Sequence, residues 1–269
     1  MSSTAVAPVL ARRLEGDDAV LVVTLNRPER RNALDAATFH RLGAILADAA
    51  GDRSVRALVV EGEGPAFCAG LDHGLLMQAV AGAGDDPAGF RRGLADLQSQ
   101  LAALEALPQP VVCALHGPCI GSGLELALAC DVRVADLTAS LQLPEIRVGL
   151  IPDLGGTTRL ARLCGPGVAA DLVMSARTVG ASEARLLGLV SAVGEDARAL
   201  ARERARELAA AAPLAVGWAK RVIQRAVGAP LEDGLALERE AMAELIATDD
   251  MREGVAAAVA RREPRFEGR

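Results

Sequence analysis

Tyrosine is absent from the 269 residues, and aromatic side chains make up only 2% of them. The stacking platforms that hold single-stranded nucleic acid are therefore missing. There is no basic run either. Lys+Arg number 29 against 35 Asp+Glu, a net charge of −6, so binding along a nucleic-acid backbone is not expected. The three histidines, His40, His73 and His116, are scattered, which gives little support to a histidine-dependent triad or a metal site. The five cysteines (Cys68, Cys113, Cys119, Cys130, Cys164) are an odd count without a C-x-x-C pair. Neither a disulfide framework nor a structural zinc site is expected, and a reduced, cytoplasmic setting is the simple reading. Met1 to Pro8 carries no positive charge ahead of an apolar core, so no signal peptide is expected. The longest stretch without Asp, Glu, Lys or Arg runs from Ala106 to Leu124. Pro108, Pro110, Pro118 and several glycines interrupt it, so it reads as a strand and turn and not as a membrane helix. No G-x-G-x-x-G follows a strand and no G-x-x-x-x-G-K-[ST] occurs, so neither dinucleotide nor P-loop binding is signalled. Ser122 lacks the glycine spacing of a nucleophile elbow.

What is present is a chain 51% hydrophobic and 24% charged, which excludes disorder. Its length suits one large domain, or one domain with an appendage, able to bury roughly three quarters of its unfolded surface. Val20 to Leu25 reads as a strand ended by Asn26-Arg27-Pro28. Leu34, Phe39, Leu42, Ile45 and Leu46 follow on one helical face, with Asn32 or Asp35 as the cap. Ala57 to Val60 is a second strand, so the chain opens as a strand–helix–strand crossover. Ala81 to Pro87 reads as an exposed loop, and a helix is expected from about Pro87 to Leu107, with Phe90, Leu94, Leu97, Leu101 and Leu104 on one stripe. Val111 to Leu115 is a third strand, and a turn to Gly123 leads into a helix at Leu124. Short strands are expected at Val132 to Ala135 and Ser140 to Leu143. From about Ala197 the chain looks wholly helical, with Pro213 in a first helical turn. Residues 1–196 thus form a mixed α/β core and 197–269 a C-terminal helical region.

Two turns expose main chain. Gly121 and Gly123 lie between a strand and a helix start, where free N–H groups suit a developing oxyanion. The alternative is a turn that merely connects two elements. Gly64 to Asp72 is a second small-residue turn after a strand. Glu125, one turn into the helix, and Glu145, in Leu143-Pro144-Glu145-Ile146, are charges embedded in apolar sequence. Burial raises a carboxyl pKa and fits it for proton transfer near neutrality. The alternative for each is a solvated or salt-bridged glutamate.

Taken in order, these pieces resemble the crotonase (enoyl-CoA hydratase/isomerase) superfamily over nearly the whole chain. Leu25-Asn26-Arg27-Pro28 with Asn32-Ala33-Leu34 is similar to its L-N-R-P-x-x-x-N-A-L opening. Ala66 to Asp72 resembles its A-F-x-A-G-x-D loop, and Gly117 to Glu125 with Cys130-Asp131 its Gly-rich turn and following C-D. Pro144-Glu145, Gly155-Gly156-Thr157 and Thr248 to Gly254 resemble its P-E, G-G-T and T-D-D-x-x-E-G motifs. The resemblance implies the crotonase fold, a superhelix of repeated ββα units, with C-terminal helices that pack a homotrimer, often paired into a hexamer. It implies an acyl-CoA substrate, with coenzyme A as part of that substrate and no separate cofactor or metal. It assigns the oxyanion N–H groups to Leu71 and Ser122 and the catalytic acids to Glu125 and Glu145. Family members often have Gly at the position of Ser122, but the contact is a main-chain one. Coenzyme A contacts are implied on the backbone of Ala69, Gly70 and Asp72 and on the segment after Pro28, where Arg27, Arg30 and Arg31 stand ready for the phosphates. A lysine common two residues after the loop aspartate is replaced by Gly74, and Arg261 is a candidate for a neighbouring subunit's coenzyme A. The implied reaction is hydration of a trans-2-enoyl-CoA. Asp153 stands where many hydratases have Gly and where Δ3,5-Δ2,4-dienoyl-CoA isomerases carry Asp, and the long loop from His73 to Pro87 is also similar to theirs. Isomerisation through Asp153 is therefore the alternative, against a turn or helix cap at that position. A non-catalytic acyl-CoA binder is a third reading.

Overall fold

The computed structural model describes residues 7–83 and 86–269; of the Met1 to Pro8 and Ala81 to Pro87 segments, residues 1–6 and 84–85 lie outside it. The chain opens with β1 (Val9–Leu14) and β2 (Asp17–Leu25), then α1 (Ala36–Gly51) and β3 (Ala57–Gly62). Next come α2 (His73–Ala83), α3 (Pro87–Ala106), β4 (Val111–Leu115), β5 (Pro118–Ile120) and α4 (Ser122–Leu128). β6 (Val132–Asp136), β7 (Ser140–Gln142), α5 (Gly156–Cys164), α6 (Pro166–Ser175), β8 (Val179–Gly180), α7 (Ala181–Leu186) and β9 (Ala192–Gly194) follow. Four helices close the chain: α8 (Ala197–Ala210), α9 (Pro213–Ala226), α10 (Leu231–Leu245) and α11 (Asp249–Ala260).

Six strands form the main sheet in the order β1-β2-β3-β4-β6-β9. β1 pairs antiparallel with β2, and every other pair is parallel. Its strands read as near-continuous apolar runs because both faces are covered. On one face Val23, Leu25, Leu58, Val60, Val111 and Cys113 pack with Phe39 and Leu42 of α1 and Leu101 and Leu104 of α3. The alternate residues Val20, Val22, Ala57, Val59, Val112 and Ala114 meet Ala197, Ala201, Ala205 and Ala209 of α8. Alanine every fourth residue makes a flat stripe that lets α8 lie close on the sheet. The first helix of the 197–269 region thus covers the core, and its alanine stripe faces the sheet instead of a neighbour. A second, three-stranded sheet has the order β5-β7-β8, and an isolated parallel bridge joins Cys68 to Cys119 beside it. β4-β5-α4 and β6-β7-α5 are two turns of the expected ββα winding.

One strand was not foreseen, and two expectations need correction. Val9–Leu14 is an edge strand that charged residues disguise, with only its end residues buried. His73 to Ala83, read as loop, is helix α2. The turn leading to Gly123 contains the short strand β5, and α4 begins at Ser122, two residues earlier than expected. The cap of α1 is Asp35, whose carboxylate accepts the Thr38 N–H. Asn32 instead sits buried in the left-handed region at φ 57 and donates to the carbonyls of Glu63, Ala66 and Phe67. It pins the first exposed turn to the start of the chain.

The C-terminal helices are tied down by buried ionic contacts. Lys220 of α9 pairs with Asp131 at 2.7 Å and donates to the carbonyls of Leu104 and Gln109. The T-D-D-x-x-E-G signature is a clasp for the chain's tail. Thr248 caps α11, Asp250 accepts the Glu267 and Gly268 N–H groups, and Glu253 accepts from Arg262 and from the Arg265 N–H. Among the described residues no helix is long and apolar enough to cross a membrane.

Candidate active site

The bridge between Cys68 and Cys119 sets two loops side by side. Cys68 N–H donates to Pro118 O, and Ile120 N–H donates to Cys68 O. Leu71 lies three residues on from Cys68, and Ser122 two residues on from Ile120. Leu71 also bridges Leu34 in parallel, through Gly70 O and the Asp72 N–H, which turns the Leu71 N–H away from that partner. Ser122 is the first residue of α4, so its N–H has no intrahelical acceptor. Neither N–H donates to any acceptor among the described residues. The two loops touch: a Cβ added to Gly70 (φ 99) would lie 2.8 Å from the Ile120 oxygen and 3.6 Å from the Ser122 nitrogen. Gly123 is equally constrained, since a Cβ there would lie 2.6 Å from the Cys68 oxygen and 2.9 Å from its Sγ.

Glu125 follows on the first turn of α4 and is fully buried. Its Oε1 accepts the Gly156 N–H at 2.8 Å, while Oε2 has no partner. Its pKa is pushed up to about 7, first by burial and then by the nearby Glu145 and Asp153, while the Gly156 and Leu154 amides act in the opposite direction. Glu145 opens a 3-10 turn and reaches under Gly121, where a Cβ would lie 2.7 Å from its Oε1. Its Oε2 is buried and unpartnered too. Burial raises its pKa, and Asp153 adds to the shift. Each glutamate thus keeps one oxygen for something outside the protein, and each holds a proton more readily than a solvated glutamate.

Asp153 is an exposed residue at the edge of this group, though its carboxyl is desolvated enough to raise its pKa. It does not cap α5: the cap position is Gly155, and no side chain bonds there. It raises the pKa of both glutamates, so the three acids share one electrostatic neighbourhood.

The coenzyme A candidates divide. Arg30 and Arg31 stand exposed on a 3-10 turn, and their side chains bond no other described residue. The main chain of Ala69, Gly70 and Asp72 runs beside them: Ala69 N–H donates to Arg31 O, and Gly70 O and Asp72 N–H bond Leu34. Arg27 is committed elsewhere, to Asp35 at 3.1 Å, Asp72 at 3.5 Å and the Ala33 carbonyl. A groove of about 930 Å³ lies away from the paired amides. It lies behind the Asp153–Gly156 segment, between α3, α5 and α9, with Gln98, Glu105, Leu154, Arg159 and Lys220 on its walls.

The residues not foreseen are the supports: Gly156, whose amide holds Glu125; Cys68, whose main chain joins the two loops; and Asn32. The G-G-T motif was a signal for Gly156, but only its contact with Glu125 across 31 residues shows what it does.

Known proteins resemble this chain over most of its length. The chain is 38% identical over 253 residues to the 2,3-dehydroadipyl-CoA hydratase of Escherichia coli, covering 93% of this chain and 96% of that one. It is 34% identical to the short-chain-enoyl-CoA hydratase of Clostridium acetobutylicum over 258 residues, 93% of this chain and 95% of that one. A crystal structure of an enoyl-CoA hydratase from Bacillus anthracis superimposes with a TM-score of 0.89 at 34% identity, covering 97% of this chain and 100% of the other. The enoyl-CoA hydratase/isomerase family profile matches residues 15–269, and the chain belongs to that family.

Proposed function

We propose that this protein adds water across the double bond of a trans-2-enoyl-CoA to give a 3-hydroxyacyl-CoA. The observation that carries the reading is that the Leu71 and Ser122 N–H groups, on two touching loops, donate to no described acceptor, together with two glutamates that each keep a buried, unpartnered oxygen. The thioester carbonyl accepts both N–H groups. As it gains enolate charge these bonds strengthen, so they favour the transition state over the bound substrate. Each contributes about 3 kcal/mol. A water between the glutamates gives its proton to Glu125 and attacks Cβ, and Glu145 delivers a proton to Cα. A pKa near 7 lets Glu125 exchange protons in either direction at neutral pH, and the upward shift at Glu145 keeps a proton available. The chemistry asks for no metal or redox group; coenzyme A arrives with the substrate, its phosphates near Arg30 and Arg31. The relatives named as hydratases support the same reaction.

Purified protein given crotonyl-CoA should bleach the absorbance of the conjugated thioester and yield a product heavier by one water. A second reading is favoured by Asp153, a third acid that does not cap α5 and that raises the pKa of both glutamates. It would relay a proton along a conjugated tail and make the enzyme a Δ3,5-Δ2,4-dienoyl-CoA isomerase. Asp153→Asn separates the two: it should largely spare hydration and cripple isomerisation. An acyl-CoA binder without turnover is disfavoured by the intact glutamates.

The assembly we propose is a trimer, alone or paired into a hexamer. Leu235 and Met242 of α10, Ile246 at its C-cap, and Val255 and Val259 of α11 are exposed apolar side chains at the last two helices. The five free cysteines suit a reduced, cytoplasmic setting.

A further inference from the structure

The strap from Asp153 to Gly156 is gripped from outside by side chains that no step of the proposed chemistry uses. Gln98 Nε2 donates to the Asp153 carbonyl at 2.6 Å. Arg159 Nη1 donates to the Leu154 carbonyl at 2.7 Å. Arg159 is itself held by a two-pronged pair with Glu105, at 2.9 and 2.7 Å. Gln98 and Glu105 are seven residues apart and so share one face of α3, while Arg159 comes from α5 just beyond the strap. Leu154 anchors the first half of the strap in the core, but the second half is two glycines with no side chain to hold it. Gly155 takes φ 105, and a Cβ on Gly156 would lie 2.9 Å from Glu125 Oε1 and 2.8 Å from the Pro152 Cβ. Its inner side presents the Gly156 amide to Glu125.

The charged groups that face Glu125 are Glu145, from the 3-10 turn after β7, and Asp153, from the strap itself; Arg159 on α5 is turned to Glu105. Both acids disfavour a carboxylate at Glu125. Only the strap amides favour it, through hydrogen bonds that depend on their position.

We propose that Gln98, Glu105 and Arg159 are positioning residues, a clamp that keeps the strap amides on Glu125 and so keeps that side chain able to ionise where the reaction needs a base. The clamp rests on the reading of Glu125 as the group that takes the proton from water. A sub-ångström shift of the strap would be enough to weaken the bond, because hydrogen-bond strength falls off steeply with distance and angle.

The experiment is a titration of the Glu125 carboxyl in the full chain labelled with carbon-13 glutamate, its resonance assigned by its loss in Glu125→Gln. In Arg159→Met the midpoint should rise by about one pH unit, and the acid limb of the kcat/KM profile should rise with it. The exchange Glu105→Arg with Arg159→Glu restores an ion pair but leaves the Leu154 carbonyl without its donor. It should therefore recover thermal stability and still show the raised midpoint, a split that a merely structural role would not produce. Gln98→Ala, at an exposed position, should raise the midpoint by a smaller amount and carries the test if Arg159→Met does not fold. An unmoved Glu125 midpoint in the folded variants overturns the clamp. A midpoint that moves while no thioester is turned over upholds the clamp and overturns the catalytic reading of Glu125.

Discussion

Replacing Glu125 with Gln should cut turnover steeply and, at the same time, make the protein more stable at alkaline pH. An ordinary glutamate titrates at 4.5, and this one is pushed up to about 7, first of all by burial. Below the lower value the carboxyl is protonated whether the chain is folded or not. Between the two, only the folded protein holds the proton, so stability falls as pH rises through this window. Above about 7 the folded state carries the full cost of a buried anion. At roughly 1.4 kcal/mol per pH unit, that interval amounts to about 3 kcal/mol. The side chain is fully buried, so solvent does not screen the effect away. Gln is neutral throughout and its amide oxygen can still accept the Gly156 N–H. The stability difference between variant and wild type should therefore shift in the variant's favour by about 3 kcal/mol from about pH 5 to about pH 8. Urea unfolding at one protomer concentration across that range measures it. Turnover of crotonyl-CoA by the variant should fall by about 10²-fold or more. Parallel stability profiles for the two proteins would refute the argument, because they would mean that Glu125 ionises as it does in the unfolded chain.

Three further perturbations probe the supports. Ser122→Pro deletes one oxyanion N–H at a first helical position, where proline is tolerated; kcat/KM should drop about 10²- to 10³-fold with little change in Tm, and full activity would remove that amide from the mechanism. Gly123→Ala puts a methyl 2.6 Å from the Cys68 oxygen, so it should cost about 1–3 kcal/mol in urea unfolding and misplace the neighbouring Ser122 amide; a variant as stable and as active as wild type would show that the loops are not in tight contact. Lys220→Met leaves the half-buried Asp131 without its counter-ion and two carbonyls without a donor. Its expected cost is about 3–5 kcal/mol, read as a lowered Tm, and an unchanged Tm would mean that α9 is held to the core by its other contacts alone.

The parts of this molecule that were legible in the sequence are those whose chemistry is local. Asp35 caps the helix that begins one residue later, and Pro213 sits in the first turn that its fixed φ and missing N–H favour. The glycines at 70, 121 and 123 announce places where a side chain has no room, and a reader can know this before knowing what occupies the room. The parts that were hidden are set by the opposite side of the fold. The alanine stripe of α8 has the same spacing whether it meets a sheet or another subunit, and only the alternate face of β2, β3 and β4 decides between them. The same holds for charge. Glu125 and Asp35 are both acids near a helix start, yet one is pushed up to about 7 and the other is lowered. Asp35 owes its shift to a threonine three residues away and an arginine eight back. Glu125 answers to burial, to an amide 31 residues on and to acids from two other segments, and the Leu154 carbonyl two residues before that amide accepts from an arginine paired with a glutamate 54 residues from it. A motif therefore tells which atoms can react, whereas the pH at which they react is a property of the packing around them.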